Sequence, residues 1–569
     1  MRKFRPSDLQ PICLPQAGNE AAWLGGAEDS NDFLRANALA DEIVIFAVGP
    51  AVLIVGVLAL TEKLTPPDGE ELQNAIVYTD ESWKIQRSYG GGEGHRVYLE
   101  PPFESPSCPS LSGGEPLVHR RSLNGVQKGP PPIEMSQKLI HCLDLYYLPE
   151  RKAYCRLDAR GDIEDVIRIV ALDLPDTWEG REVVTILRKD LDVYMALAGM
   201  SLVLKFDFTR VKHESFNGWD DSRRYDQTET DLFYHGGGNG TASYANGAMI
   251  VRPDITPQEL VQEFKDDLEP GKKEYATFKI YDRKNKKNVE TSCSPAHIVS
   301  YFERSDLPWQ ISPAFFRPEV LVKYKGDPEK YTLEDRSIMC RGAWYLKGYD
   351  INEEGQVHVY MVDLARLPIE EQRYWQLFNE WPKSDISARA HQTDILGEWN
   401  TGYDPLNALK HKISKLDKGN YAWWSPRGDE VAGAVRYPAT DSPKEWADEI
   451  LALDQLLVEG FLERPLRKLA EATGRSLEDG WRAMKLIQEI MIANGRSAAE
   501  AKAVMTPMLE LHGLRSEIRG HAAIQRKKAA VKNARTEHGN FRAQFADITS
   551  GCDKALEEVL KVLGVTLQD

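Results

Sequence analysis

Ile43–Leu60 reads IVIFAVGPAVLIVGVLAL, eighteen residues without a charge, and two structures compete for it. A membrane-spanning helix needs about 20 consecutive apolar residues, so the run sits at the lower limit. Its composition points the other way: Val and Ile dominate, and Gly49-Pro50 interrupts the middle, as a turn between two buried strands would. The flanks agree, because Asp41-Glu42 precede the run, Glu62-Lys63 follow it, and neither a Trp/Tyr belt nor a basic flank is present. The stretch is a buried β-hairpin on this reading, and no membrane partner is expected.

Working outward, the first region mixes strand and helix signals. Glu164–Leu172 (EDVIRIVAL) reads as a buried strand, Asp192–Met200 as helix, and Ser201–Phe208 (SLVLKFDF) as a strand by alternation. Pro101–Gly114 and Gly129–Pro132 are loop-prone, and the polar, Gly-rich Lys212–Asn246, with HGGGNG at 235–240, suggests a boundary. Upstream, Met1–Arg5 is basic but Pro6–Asn19 is not an apolar run, so no signal peptide is expected. The seven cysteines (13, 108, 142, 155, 293, 340 and 552) include no CxxC pair. That pattern argues against a disulfide framework or a structural zinc site and for a reducing cytoplasm.

Beyond 216 the pattern repeats. Ala248–Arg252 reads as strand and Pro257–Leu268 as a helix, with Thr256 as N-cap, Pro257 at the first position and Glu259 completing a capping box. Tyr275–Tyr281 and a return strand from Val289 flank a lysine-rich turn, and Gln356–Asp363 (QVHVYMVD) and Ile369–Asn379 follow as strand and helix. The region is rich in aromatics (Trp309, Trp344, Tyr374-Trp375, Trp381, Trp399, Trp423-Trp424), which are more often core or interface than base-stacking groups.

From Ser442 nearly everything is helical. Ser442–Glu445, Ser476–Asp479 and Ser497–Glu500 read as N-terminal boxes, Gly474, Gly495 and Gly564 as stops, and Pro465, Pro507 and Ser550-Gly551 as breaks. Long amphipathic helices with short links make a bundle. The expected architecture is thus α+β multidomain: residues 1–215 and 216–437 as two mixed α+β regions, and 438–569 as an all-α bundle. A length of 569 residues fits roughly three or four domains.

The bundle also differs in charge. The chain carries −16, yet Asp441–Asp569 holds 19 Lys and Arg against 20 Asp and Glu, a net of −1, leaving −15 for the rest. Within it, His512–Arg542 has eight basic residues (Arg515, Arg519, Arg526, Lys527, Lys528, Lys532, Arg535, Arg542) against Glu517 and Glu537, a local +6 that suits a polyanion.

Leu511–Ala522, LHGLRSEIRGHA, holds Arg515 and His521 with five residues between them near a helix end. This resembles the HEPN superfamily of small helical bundles, over about Ser442–Leu563, through its Arg-x(4–6)-His motif. The resemblance implies metal-independent RNA cleavage by a homodimer pairing its motifs across a two-fold axis, as in bacterial toxin or antiviral-defence effectors. Arg515 would stabilise the phosphorane and His521 would be the acid/base, roles that suit a planar permanent cation and a group titrating near neutrality. The residue after the arginine departs from the usual Asn, Asp or His: it is Ser516. Arg519, Arg526, Lys527, Lys528, Lys532 and Arg535 would contact RNA, with Ser516, His512 and His538 as auxiliary polar groups. No cofactor or metal is expected. The alternative is a non-enzymatic scaffold or sensor whose bundle mediates dimerisation or binds RNA or a protein partner.

Two further motifs lead elsewhere. Pro253-Asp254 with Glu263-Phe264-Lys265 spells a metal-nuclease signature, but that chemistry needs Glu and Lys on one face of a strand, and here both lie in the capped helix. HGGGNG lacks the Gly-Lys-Ser/Thr ending of a phosphate loop and reads as a flexible loop.

Overall fold

The computed structural model describes residues 3–9, 26–49, 51–90, 94–103, 108–123, 126, 128–172, 181–211, 222–238, 242–269, 273–334, 336–398, 403–440, 442–519 and 524–565. They form two compact units, Met1–Lys273 and Glu274–Asp569.

The first unit is built on one eleven-stranded antiparallel sheet. In chain order its strands are β1 (Glu42–Gly49), β2 (Val52–Leu60), β3 (Glu115–Pro116), β4 (Tyr146–Leu148), β5 (Ala153–Leu157), β6 (Ile163–Ala171), β7 (Glu182–Leu187), β8 (Met200–Val211), β9 (Ser222–Thr228), β10 (Leu232–Gly238) and β11 (Ala242–Val251). They lie in the order β9-β10-β11-β8-β2-β1-β7-β6-β5-β4, with β3 added to β2. β1 and β2 are the expected hairpin, Phe46 opposite Val55. They read as continuous apolar runs because both faces of the sheet are covered. Leu202, Leu204 and Phe206 of β8 join the main core on one face, while Val203, with Val57 and Ala59 of β2, joins a smaller cluster on the other. Gly56 allows the close approach of the hairpin: a Cβ there would stand 2.7 Å from the Ile45 carbonyl oxygen.

The boundary expected at 215/216 falls inside this sheet. β8 pairs with β11 from Leu202↔Val251 to Val211↔Ala242, and β9 and β10 continue outward. The HGGG of the expected loop lies in β10, His235 opposite Asn246, while 239 and 240 lie outside the described residues. A glycine strand carries no period-2 side-chain signal, yet its backbone groups pair as well as any. Helix α1 (Gly26–Ala38) precedes β1, α2 (Gly69–Asn74) follows β2, and α3 (Arg188–Ala198) joins β7 to β8. Helix α4 (Pro257–Leu268) has the predicted capping box, Thr256 Oγ1 accepting from Glu259 N and Glu259 accepting from Thr256 N. Glu263 and Lys265 lie on it, so the metal-nuclease signature is not assembled.

The second unit opens with an α+β part. Strands β12 (Thr277–Asp282), β13 (Lys287–Ser292), β14 (Pro313–Phe316), β18 (Asp350–Ile351), β19 (Val357–Tyr360) and β20 (Asn379–Glu380) form a sheet in the order β13-β12-β14-β19-β18, with β20 beside β14. β15 (Tyr331–Leu333), β16 (Ser337–Cys340) and β17 (Trp344–Lys347) form a second, three-stranded one. Helix α5 (Ile369–Gln376) puts Trp375 into the core, where its ring meets Phe316 edge-on at 4.8 Å and its N–H donates to Tyr324 Oη at 2.8 Å. Trp344 is buried there as well; Trp399 lies outside the described residues.

The helical part begins earlier than 438. Asp404 caps α6 (Pro405–Lys418), its carboxylate accepting from Asn407 N, and α7 (Gly428–Ala434) follows. Leu406, Leu409 and Ile413 share one apolar cluster with α8 (Pro443–Leu457), α9 (Glu463–Ala472), α10 (Ala483–Ala493), α11 (Ala498–Arg519), α12 (Ile524–His538) and α13 (Phe541–Val562). Trp423 and Trp424 belong to it too. The expected boundary marks a change in composition, not a break in the core.

Several helix signals resolve differently from expectation. Ser442 makes no side-chain cap; Glu445 reaches further back, accepting from the backbone N–H groups of Ala439 and Thr440. No helix starts at Ser476, because Arg467 donates to the carbonyls of Glu478, Asp479 and Trp481 and holds that segment as a turn. Ser497 and Glu500 do form a reciprocal box. Pro507 lies within α11. The last long pattern breaks at Gly539, which is left-handed (φ 82°), with Asn540 capping α13, and not at Ser550-Gly551. Gly551 instead lies where α13 meets α11, a Cβ there standing 2.9 Å from Pro507 Cβ. Among the described residues no helix is long and apolar enough to cross a membrane.

Candidate functional site

Helix α11 carries Arg515 of the singled-out motif, and its partner α8 supplies the group that Arg515 faces. Along ILALDQLL, Ile450, Leu453, Leu456 and Leu457 of α8 are buried by helical spacing, and Asp454 goes in with them, fully inaccessible. A carboxylate carried into an apolar interface needs partners. The facing α11 supplies two from one surface, His512 and Arg515, three apart.

His512 Nδ1 stands 3.0 Å from Asp454 Oδ1. The carboxylate accepts, so the proton sits on Nδ1 and Nε2 is left to a half-exposed edge, the side chain being 49% accessible. Arg515 Nε is 3.7 Å from Asp454 Oδ2, beyond hydrogen-bond reach, and its Nη2 is 3.4 Å from Glu459 Oε1. Asp454 Oδ2 and Arg515 Nε therefore have no hydrogen-bond partner among the described residues. Burial pushes the Asp454 carboxyl above its ordinary range, against the opposing pull of His512 and Arg515.

The other expected residues are placed as follows. Ser516 donates its hydroxyl to the His512 carbonyl oxygen, 2.9 Å away in its own helix. His521 and the side chain of Arg519 lie outside the described residues. Arg526, Lys527, Lys528, Lys532 and Arg535 are exposed on α12, which packs against α11 and α13. The Arg535 guanidinium lies 5.0 Å over the Phe541 ring. His538 ends α12, where the helix dipole favours a cation.

The structure thus joins Arg515 to His512 through Asp454, with Glu459 beside Arg515 alone, two acidic residues that sequence reasoning missed. A signal for Asp454 was there: a carboxylate flanked by Leu453 and Leu457 in the apolar stripe of α8. Chemically, the cluster sets an oriented imidazole and a partly exposed guanidinium on one helix face beside a cationic helix. That is equipment for moving a proton and meeting a phosphate. Among the described residues no group of three or more His, Cys, Asp and Glu is placed to hold a metal ion.

Comparison with protein-family models, with curated proteins and with solved structures finds no match to this chain.

Proposed function

We propose that the helical module binds RNA and cleaves it without a metal. The observation that carries this reading is the Asp454–His512–Arg515 cluster where α8 meets α11, open to solvent on one side and followed in the chain by the basic face of α12. Arg515 would offset charge on the phosphorane, and an imidazole, His521 or the Asp454-oriented His512, would move the 2′-OH proton. Arg526, Lys527, Lys528 and Lys532 would track the phosphates, a role that makes binding fall with salt. A homodimer pairing two such clusters, in a toxin or defence effector whose preceding regions sense or recruit, completes the proposal.

Single-stranded RNA incubated with the full chain in EDTA should be cut. His521→Ala, His512→Ala and Arg515→Lys separate the roles: loss of the acid/base should slow cleavage by roughly 10²–10⁴-fold, and Arg515→Lys should fail for want of the planar fork. Intact RNA under these conditions, or cleavage unchanged in all three variants, ends the reading.

One observation favours a second reading. Arg515 is already approached by two carboxylates, Asp454 and Glu459, as a guanidinium tying α8 to α11 would be. On that reading the module holds RNA, or a second copy of the chain, without cutting it. RNA retarded in a gel but left whole, with Arg515→Ala lowering the melting temperature, would select it.

A further inference from the structure

An antiparallel hairpin of the first unit, Lys84–Ser88 with Arg96–Glu100, stands apart from the eleven-stranded sheet and pairs with no other strand among the described residues. Its register sets Ile85 opposite Leu99 and Arg87 opposite Val97. Residues two apart share a face of a strand, so these four lie on one side, and Trp83 and Tyr89 continue the same period at the two ends of the first strand. A sheet with one wet face turns its polar residues to water. Here the apolar face is exposed throughout: Trp83 is 66% accessible, Ile85 71%, Tyr89 80%, Val97 70% and Leu99 66%. On the opposite face Gln86, Ser88 and Glu100 are partly covered, and Lys84, Tyr98 and Arg96 reach water.

Area and charge indicate what covers the apolar face. At about 150–250 Å² for a large side chain, the five hold roughly 700 Å² of exposed surface, above the roughly 300–600 Å² of the largest patch on most monomers. Two such faces brought together bury about 1,400 Å², within the roughly 1,200–2,000 Å² of a stable interface. The face carries no acidic group and one cation, Arg87, which fits over an aromatic ring of an opposing face. Selectivity for a different protein comes from charges that match its own. A face without them complements itself, as a two-fold contact requires. A hairpin of two strands is also marginal in water, so the contact that covers this one orders it as well.

We propose that this face joins two copies of the chain, apolar side on apolar side across a two-fold axis, with Trp83 and Leu99 as its principal anchors. The contact belongs to the first unit, uses no residue of the Asp454–His512–Arg515 cluster and does not depend on RNA cleavage.

Sedimentation equilibrium of the full chain tests it. The chain should form a reversible dimer with a dissociation constant of roughly micromolar or tighter, as interfaces of this size do. Trp83→Ser should weaken the dimer by at least roughly thirtyfold, the effect of losing an aromatic anchor. Leu99→Thr, which keeps strand propensity, should weaken it by at least roughly tenfold. Phe302→Ser, which removes a ring 93% exposed in the second unit, should change nothing. Amides of Ile85–Arg87 and Val97–Leu99 should exchange their hydrogens more slowly as concentration rises through the dimer range. Circular dichroism checks the fold of each variant, and Ile85→Thr replaces one that does not fold. A monomer at every concentration, a dimer that the folded hairpin variants leave unchanged, or one weakened as much by Phe302→Ser overturns the proposal. A dimer held by the helical module alone is the second of these outcomes, and it leaves the RNA-cleavage reading standing.

Discussion

Asp350 in the α+β part of the second unit and Asp454 in the helical part are both carboxylates sealed from water, and they differ in every other respect. Asp350 accepts from Arg389 Nη2 at 2.7 Å and Nε at 3.1 Å, from Ser387 Oγ at 2.7 Å and from Ile351 N at 2.9 Å. Burial alone would raise its pKa; these donors, Arg389 foremost, hold it at about 2 instead. Asp454 has one good hydrogen bond and one long ionic contact, and burial wins. A fold that wants only stability saturates a buried charge, as around Asp350. A carboxylate left half-satisfied beside an exposed imidazole has a different use, that of fixing the imidazole's proton on one nitrogen.

The contrast breaks most readily at Arg389. Arg389→Ala strands the Asp350 charge in the interior, and urea denaturation should show a loss of about 3–5 kcal/mol. A loss under about 1 kcal/mol would mean that Asp350 is no better served than Asp454.

The same polar core holds His358, fully buried, its Nε2 accepting from Ser387 N at 3.1 Å. Burial first, with Arg336 nearby, pushes it down from 6.5 to about 4, against the opposing effect of Asp350. A base with a depressed pKa is protonated more readily when unfolded. The stability from keeping it neutral is therefore complete above pH 6.5 and lost as pH falls toward 4, in all about 3 kcal/mol. The Asp350 contribution has the same direction but a lower window, present above 3.8 and lost toward 2. Melting of the second unit followed from pH 7.5 to pH 4.5 should show the first fall, and His358→Gln should flatten it; an equal fall in that variant assigns the effect elsewhere.

Asp454→Asn gives the smallest change. Removing a charge that burial already disfavours should alter stability by less than about 1 kcal/mol, while nitrogen NMR shifts of His512 should show a mixture of tautomers where the parent has one. A large loss of stability with an unchanged tautomer would make Asp454 a structural partner like Asp350.

How much of this was legible follows from what each signal needs. The hairpin at 43–60, the cap of α4 and the box at Ser497 are local, written in adjacent residues, and were readable. Strands β9 and β10 were not, because HGGG and its neighbours lack the alternation that burial imposes elsewhere. Nor was the start of the helical core at α6: apolar spacing in Leu406, Leu409 and Ile413 shows a helix but not which core it joins. At the candidate site, Arg515 and His512 were visible as polar residues one turn apart. Asp454 lies 58 positions before His512, and only the packing of α8 on α11 makes them neighbours.

The long-range sheet has a consequence for synthesis. β1 finds β7 through Ile43↔Ile186, and β2 finds β8 through Leu60↔Met200, so a nascent chain carries the Val-rich hairpin with both outer edges unpaired until β7 and β8 have left the ribosome. Such edges template pairing with other chains. In the helical part α9, α10 and α11 follow one another directly, while α6 waits for α13 to be made. The hairpin therefore stays open-edged for more than a hundred residues of synthesis, the interval in which a pairing error with another chain is easiest.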